Sequence, residues 1–378
     1  MSAPTAPTAT APLRPRTGFH ALEVAGTAPA ADDGSAVAVT LRVPDGLLDH
    51  FAFTPGQHVT VRADLDGTEV RRSYSLCSTP RELRREGLLR LGVRAVTGGV
   101  FSGYARERLS PGDLLELGPP EGRFTTAATA GRSRRYAAAV AGSGITPVLS
   151  LVGHVLAEEP ESLFTVLYGN RTARSAMFLD ELADLKDRHG ARLQLLHFFS
   201  RDAQRIGPAG RRLDAEVLRG VLTSPLPPTL VDEWFVCGPR EMVRGARQAL
   251  ELAGVPAAAV RTELFHTGPP PAATGDPGAD DTAPAGGTRL EVRLAGRTST
   301  VRMAPGQTVL DAALSVRPEL PFSCRSGVCA TCRAKVVSGG ASMRTNFTLT
   351  AEETSARYVL TCQAHPTTPA VTVDYDVA

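Results

Sequence analysis

An excess of charge of one sign is the first thing this sequence lacks. Its 41 Lys and Arg nearly balance 39 Asp and Glu, giving a formal net charge of +2 over 378 residues. No global electrostatic case therefore exists for nucleic acid or a membrane surface as partner. Long hydrophobic runs are missing too. The longest candidate, Tyr136–Ala157, is broken by Gly142, Gly144 and Pro147, so no uninterrupted run reaches the roughly 20 apolar residues of a membrane span. Met1–Pro15 is mostly Ala, Pro and Thr without an apolar centre, and reads as a disordered tail rather than a secretory signal. Without that signal the 6 cysteines do not argue for disulfides. A reduced, cytoplasmic setting is expected, in which thiolates stay available as ligands. The 8 histidines form no H-x-x-x-H pair, and a single histidine such as His58 or His266 is more often structural than a ligand. There is no acid–base triad in view, no Rieske C-x-H pair and no pair of E-x-x-H motifs for a di-iron site. Oxygen chemistry is therefore expected outside this chain.

What the chain does have is four cysteines near its C-terminus. Cys324, Cys329 and Cys332 read C-x4-C-x2-C, and Cys362 follows after a gap of 29 residues. This is the ligand spacing of a plant-type [2Fe–2S] ferredoxin. Three thiolates on one tight loop and a fourth on a distant strand can wrap a two-iron diamond. Ser326, Gly327 and Ala330 keep the loop Ser323–Cys332 free of bulk, so backbone amides can approach the sulfurs and raise the reduction potential. Zinc is the rival ligand. Its structural sites favour two C-x2–4-C knuckles, and here only Cys329/Cys332 forms one. Cys77 and Cys237 read as small packing residues.

Composition divides the chain into three blocks and a connector. Gly268–Gly287 contains only Gly, Pro, Ala, Thr and Asp. With no large side chain to bury, it cannot offset chain entropy and is expected to be a linker, about 25 Å long as a coil and about 60 Å as extended polyproline. Residues 16–125 hold short alternating runs, Ala36–Val43, His58–Ala63, Val70–Leu76 and Leu88–Val96, separated by turn residues. That is the pattern of an antiparallel β-barrel. Residues 126–267 alternate strand-like runs (Ala137–Ala141, Leu163–Tyr168, Leu193–Phe199, Glu233–Cys237) with helical stretches (Pro147–Ala157, Met177–His189, Leu213–Leu222, Arg240–Ala253). This predicts an α/β, doubly wound parallel sheet. Residues 288–378 open with a hairpin, Arg289–Leu294 and Ser299–Met303, and a short helix, Thr308–Leu314, that leads to the cysteine loop. No internal repeat is visible.

Arg72-Ser73-Tyr74-Ser75 ends a barrel strand. Residues two apart on a strand share a face, so Arg72 can pair with a phosphate while Tyr74 lies flat on an isoalloxazine. Ser75 faces the other way, where its hydroxyl or amide could meet the flavin edge. About 25 residues later Gly98-Gly99-Val100-Phe101-Ser102 opens a helix, where bare amides form a pyrophosphate site. Gly142-Ser143-Gly144-Ile145-Thr146-Pro147 follows the first parallel strand, at the carboxyl end where doubly wound sheets bind ligands. Thr146 is the expected helix cap and Pro147 belongs to the first turn. Cys237-Gly238-Pro239 repeats that logic at a later strand end. Arg171, in Tyr168-Gly169-Asn170-Arg171, and Ser200-Arg201 end two further strands. Arginine beside serine suits the 2′-phosphate of NADP. Taken singly, each motif also has an ordinary reading as a turn, an exposed strand end or a solvated arginine.

In this order, R-S-Y-S, G-G-V-F-S, A-G-S-G-I-T-P, C-G-P-R-E-M and the terminal cysteine motif resemble the ferredoxin–NADP reductase superfamily with a C-terminal plant-type ferredoxin. The resemblance covers residues 16–378 apart from the linker. It extends to the reductase subunits of phenylacetyl-CoA epoxidase and similar oxygenases through Tyr168–Thr172, Ser326–Cys332, Tyr358–Gln363 and Val373–Asp376. It implies that Arg72, Tyr74 and Ser75 bind FAD and that Gly99, Val100, Phe101 and Ser102 hold its pyrophosphate. Gly142, Ser143, Gly144, Ile145, Thr146 and Pro147, with Cys237, Gly238 and Pro239, would hold the nicotinamide nucleotide. Glu263-Leu264-Phe265 resembles the E-x-aromatic module end whose ring covers the flavin, with Phe here in place of Tyr. Tyr74, Ser75, Glu263 and Phe265 would then surround the reacting ring.

The ferredoxin part is implied to be an α+β β-grasp domain. The cofactors implied are FAD, a [2Fe–2S] cluster and NADPH, with NADH as alternative donor, and the partner is an oxygenase component. Electrons would pass from nicotinamide to flavin, which handles them in pairs or singly, then to the one-electron cluster and outward. Two other readings are a reductase for a Rieske-type or steroid oxygenase, and a redox-sensing module without efficient turnover. The ferredoxin block has 10 Arg/Lys against 7 Asp/Glu, so no acidic docking face is expected. The linker's reach leads us to expect a ferredoxin domain that docks weakly and moves.

Overall fold

The computed structural model of the protein describes residues 18–129, 131–202, 207–224, 226–265 and 287–377. The expected tail Met1–Pro15, His266 and all of the expected linker but Gly287 lie outside the described residues.

The first lobe is antiparallel. Its strands are β1 (His20–Pro29), β2 (Ala36–Arg42), β3 (His58–Leu65), β4 (Thr68–Ser75), β5 (Leu88–Arg94) and β6 (Leu114–Leu117), in the order β4-β3-β6-β1-β2-β5. The outer strands meet at a Leu76–Leu91 bridge, which closes the sheet into a barrel. Period-two alternation sends Val59, Val61, Leu89, Leu91 and Val93 inward. Helix α1 (Pro80–Glu86) starts at a Thr79/Glu82 capping box and stops at left-handed Gly87. Helix α2 (Val100–Glu107) buries Phe101 and Ala105 against the barrel.

The second lobe runs β7 (Arg135–Ala141), α3 (Ile145–Glu158), β8 (Leu163–Asn170), α4 (Leu179–His189), β9 (Leu193–Phe199), α5 (Ala215–Thr223), β10 (Glu233–Gly238), α6 (Arg240–Leu252) and β11 (Val260–Leu264). Its sheet is parallel throughout, in the order β11-β10-β7-β8-β9. Alternate residues of β7 and β10 face opposite helix layers. Tyr136, Ala138, Val140 and Phe235 meet α3 and α4, whereas Ala137, Ala139, Trp234 and Val236 meet α5 and α6. The α4 helix begins later than expected, because Phe178 takes a left-handed φ of 58°. Met177 and Phe178 instead fill the seam with the barrel.

That seam is a shared core. Ala30, Ala36, Ala38, Cys77 and Phe124 of the barrel pack in one cluster with Ile145, Val148 and Phe178. Gly92 of β5 comes so close that an added Cβ would lie 2.6 Å from Thr146 Cγ2. Arg90 donates to both oxygens of Glu181, at 2.7 and 2.6 Å.

The third lobe comprises β12 (Thr288–Leu294), β13 (Arg297–Met303), α7 (Val309–Leu314), β14 (Arg333–Ser338), β15 (Ala341–Met343), α8 (Ala351–Ser355), β16 (Tyr358–Leu360), β17 (Ala364–Pro366) and β18 (Ala370–Asp374). Its mixed sheet has the order β13-β12-β18-β14-β16, with β12 and β18 parallel. This is the α+β β-grasp arrangement. Its two apolar clusters, around Leu290/Val373 and Leu310/Leu360, include no residue of the other lobes. Polar and cation–π contacts join it to them instead: Arg71 over Phe322 at 4.2 Å, Arg240 over Phe347 at 4.4 Å, an Arg123–Glu353 ion pair, and His58 with Thr331. Among the described residues, no helix is long and apolar enough to cross a membrane.

Candidate functional site

On β4 the side chains of Arg72 and Tyr74 fall on one face, with Arg72 exposed and Tyr74 partly buried. The Tyr74 ring rests on Phe101, centroids 5.4 Å apart, and burial pushes its phenol pKa up. Phe101 is itself core, at 2% exposure, so it props Tyr74 and reaches a ligand only through its backbone. Helix α2 starts at Gly99 with no side-chain cap. Its first amides are the donors that an anion would take. A cavity of about 510 Å³ lies beside them, lined by Gly98, Gly99, Val100, Ser35 and Arg106. The Ser102 hydroxyl accepts from Val96 N at 3.1 Å and donates to Gly99 O at 3.3 Å, so it shapes the turn. A Cβ on Gly99 would lie 2.5 Å from that hydroxyl; only glycine fits. Bare amides, a cavity and the partly buried Tyr74 ring on the neighbouring strand fit a flavin dinucleotide.

Ser75 points the other way and is 3% exposed. Its hydroxyl donates to Glu263 Oε2 at 3.5 Å, and the Cys237 thiol donates to the same oxygen at 3.9 Å. The other Glu263 oxygen is 3.6 Å from His58 Nδ1. Three strand ends, of β4, β10 and β11, thus converge with β3. Phe265 follows β11, its amide bonded to Gly238 O at 3.0 Å and its ring packed on the shared core. Burial, with the Glu263 carboxylate, raises the Cys237 thiol pKa. Burial alone would lower the pKa of His58, but Glu263 and Glu121 outweigh it and the net shift is upward. Nothing in the sequence pattern singles out His58. Its place opposite Ser75 comes from the β3–β4 register.

At the turn expected to hold the nicotinamide nucleotide, α3 has Gly144 as its N-cap and no side-chain cap. Thr146, the expected cap, lies inside the first turn instead. Its hydroxyl donates to Ser143 O at 2.9 Å and it is 1% exposed. The first-turn amides therefore keep no side-chain acceptor. Gly142 has φ 57°, which favours glycine. Buried Tyr168 lies under it, its hydroxyl 3.1 Å from Gly142 O and accepting from Met177 N at 3.0 Å. A Cβ on Gly144 would lie 2.3 Å from Cys237 O, so the two glycine turns are pressed together. Arg201 N donates to Arg171 O at 2.8 Å and Ser200 N to Asn170 O at 3.0 Å. Both arginines leave adjacent strand ends side by side, exposed.

The four C-terminal cysteines pair two and two. All four are free thiols, Cys324 set beside Cys329 and Cys332 beside Cys362. No group of three or more His, Cys, Asp or Glu among the described residues converges on one metal point. Two thiols for each of two irons matches this donor set, whereas a single tetrahedral zinc does not. Backbone amides of Ser326 and Cys329 donate to Cys324 Sγ, both at 3.4 Å. The Cys329 thiol, with the Ser326 side chain and the Ser326 and Val328 amides, pulls the Cys324 pKa well down. Cys362 is lowered by Cys332 and by the Gly327 amide. Gly327 has φ 75°, and a Cβ there would lie 2.9 Å from Thr345 O. Behind the loop Tyr375 donates to Thr361 Oγ1 at 2.8 Å, and Thr361 donates to Cys332 O at 2.9 Å. Cys77 is the one cysteine with no site role in view; buried, its thiol pKa is pushed up to about 12.

Three family models match the chain in order: an oxidoreductase FAD-binding domain over residues 33–126, an oxidoreductase NAD-binding domain over 140–248 and a 2Fe-2S iron-sulfur cluster binding domain over 292–367. The chain is 41% identical to one of the subunits of the 1,2-phenylacetyl-CoA epoxidase of Escherichia coli (strain K12) over 365 residues, 95% of this chain and 98% of that protein. It is 31% identical to the ferredoxin reductase component of 3-ketosteroid-9-alpha-monooxygenase of Rhodococcus rhodochrous over 346 residues, 89% of this chain and 92% of that one. In fold it is similar to phthalate dioxygenase reductase, with a TM-score of 0.56 at 21% identity, covering 94% of this chain and 98% of that one.

Proposed function

The chain belongs to the FAD- and NAD-binding reductases of the ferredoxin–NADP reductase type that carry a C-terminal [2Fe–2S] domain, and on that premise we propose that it carries electrons from NADPH to the oxygenase component of a multicomponent oxygenase, of the kind named in its phenylacetyl-CoA epoxidase relative. When bound, FAD accepts a hydride from nicotinamide and releases electrons singly to a [2Fe–2S] cluster. The chain's residues supply binding and order. Arg72 and the first amides of α2 would hold the pyrophosphate, Tyr74 and Phe265 would enclose the ring, and Ser75 with Glu263 would meet its edge. Gly142–Pro147 and Cys237–Pro239 would hold the nicotinamide nucleotide, with Arg171, Ser200 and Arg201 at a 2′-phosphate. Cys324, Cys329, Cys332 and Cys362 would hold the cluster. Domain boundaries of 16–125, 126–267 and 288–378, joined by a 268–287 linker, and a cytoplasmic setting belong to the same proposal.

One observation carries it. Glu263, which accepts from Ser75, lines one cavity with Cys329, Ala330 and Thr331 of the cysteine loop, and His58 contacts both Glu263 and Thr331. Electron transfer between flavin and cluster needs this proximity. The test compares two acceptors in the holoprotein. Ferricyanide takes electrons from flavin directly, and cytochrome c through the cluster. Cys329→Ser should abolish the cytochrome c reaction while NADPH still reduces the flavin. Loss of both, or slow turnover by the parent, would favour a sensing module over a reductase.

A further inference from the structure

We propose that His58 is a positioning residue that latches the cluster-bearing domain to the flavin-side carboxylate Glu263 through the Thr331 hydroxyl. The inference rests on the reading that Ser75 and Glu263 border the flavin. His58 is 3% exposed, and its two ring nitrogens look in opposite directions. Nδ1 is 3.6 Å from Glu263 Oε1 and Nε2 is 3.4 Å from Thr331 Oγ1. Thr331 sits between Cys329 and Cys332 on the cluster loop. The Glu121 carboxyl, whose pKa burial raises, also faces the Thr331 side chain, which acts against that rise, and Glu121 is tied to His58 by two backbone bonds of 2.8 Å. The pocket for the ring is kept open by Gly122, φ 111°, where a Cβ would lie 2.9 Å from His58 Nδ1.

Beside Glu121 at Thr331, the described contacts that join the third lobe to the others are made by arginines, to Phe322, Phe347 and Glu353. None of them touches both the flavin-side carboxylate and the Cys329–Cys332 turn. His58 does, so docking of the cluster loop and the pose of Glu263 depend on one ring. The Nε2 contact is long for a hydrogen bond, and Nδ1, which has no hydrogen-bond partner, meets Glu263 only at ion-pair distance. Such a contact shifts a docking equilibrium by roughly two- to tenfold, enough to favour the docked pose without trapping a domain that must also reach a partner. The glutamate at one end and the threonine at the other explain why a ring with two nitrogens on opposite edges is needed here.

The two nitrogens can be tested apart. Asparagine places its amide near the Nδ1 position and glutamine near Nε2. In the oxidised holoprotein, hydrogen–deuterium exchange of residues 326–333 reads docking, and the ratio of NADPH-driven cytochrome c to ferricyanide reduction reads electron passage to the cluster. His58→Asn and Thr331→Val should each speed exchange in that segment and lower the ratio roughly three- to tenfold. The double variant should be no worse than either single one, because the pair acts as a unit. His58→Gln should restore most of both readouts. Thr331→Val keeps the test open should His58→Asn destabilise the barrel. Parental exchange and ratio in both His58→Asn and Thr331→Val, or additive losses in the double variant, would overturn the latch. A parent that reduces neither acceptor would instead sink the proposed function, while the exchange data would still decide the contact.

Discussion

Replacing Gly144 by alanine should force apart the two turns that frame the proposed nicotinamide site. The new Cβ would lie 2.3 Å from the Cys237 carbonyl oxygen, 2.7 Å from its carbon and 3.1 Å from Gly238 N. All three are backbone atoms at the end of β10, so no side-chain rotation relieves the clash. Ordinary contact requires the first turn of α3 to retreat by about 1 Å, and overpacking of this kind costs about 1–3 kcal/mol. For a body the size of the two fused lobes that lowers the melting temperature by about 2–12 °C. The same retreat displaces the uncapped first-turn amides. A misplacement of about 1 Å lowers a rate by roughly a hundredfold. Calorimetry reads the first effect, and anaerobic stopped-flow bleaching of the flavin by NADPH reads the second. Gly142→Ala is the control. Its Cβ would meet nothing within 4 Å, but its φ of 57° is left-handed, so it should cost only about 1–2 kcal/mol. Parental melting and bleaching in Gly144→Ala would show that the two turns do not depend on their close approach, and the reasoning from the glycines would fail.

Arg201→Ala should weaken NADPH roughly ten- to a hundredfold and leave NADH use unchanged. Steady-state kinetics check this, and a parent that prefers NADH removes the 2′-phosphate assignment. Arg62 donates to both oxygens of Glu116 at 2.8 Å, and its guanidinium holds the Glu116 carboxyl below the usual range. Stability from this pair is complete above the unfolded carboxylate pKa and lost as pH falls through the lowered folded value. Glu116→Gln should therefore lower the melting temperature slightly at pH 7, by less than about 1 kcal/mol at this half-exposed site, and the difference should vanish in acid. A difference that grows in acid would contradict the sign. Shortening the proposed 268–287 linker by half would reduce the reach of a coil of that length by a factor of about 1.4. It should slow delivery to the oxygenase more than flavin reduction, and equal oxygenase-coupled rates would favour a permanently docked domain.

Strands β2, β3 and β5 were legible in the sequence because bulky apolar residues recur at every second position, Val37, Val39 and Leu41, Val59 and Val61, and Leu89, Leu91 and Val93, all in the barrel core; the small Ala36 and Ala38 that alternate with them in β2 are buried too, in the seam with the second lobe. Strands β1 and β6 were not. β1 mixes Gly26, Thr27 and Pro29 among its apolar residues, and β6 is only Leu114–Leu117. Strand β11 carries intermediate burial along its whole length, so it shows no period. Thr146 looks like a cap because threonine often is one, but the helix starts two residues earlier, with Gly144 as its N-cap pressed against Cys237. The cysteine loop was legible because its chemistry fixes ligand spacing within a few residues. The convergence of Ser75, Glu263, Cys237 and His58 spans four strand ends and depends on register and lobe packing, which local pattern does not encode.

The account stands on one FAD and one two-iron cluster within a single chain. Flavin, iron, zinc and acid-labile sulfide assayed on the purified protein test it most directly. The account predicts one flavin, two irons and two labile sulfides per chain, with the metal and sulfide lost together in Cys329→Ser. Zinc without labile sulfide, or a chain that carries no flavin, would contradict it.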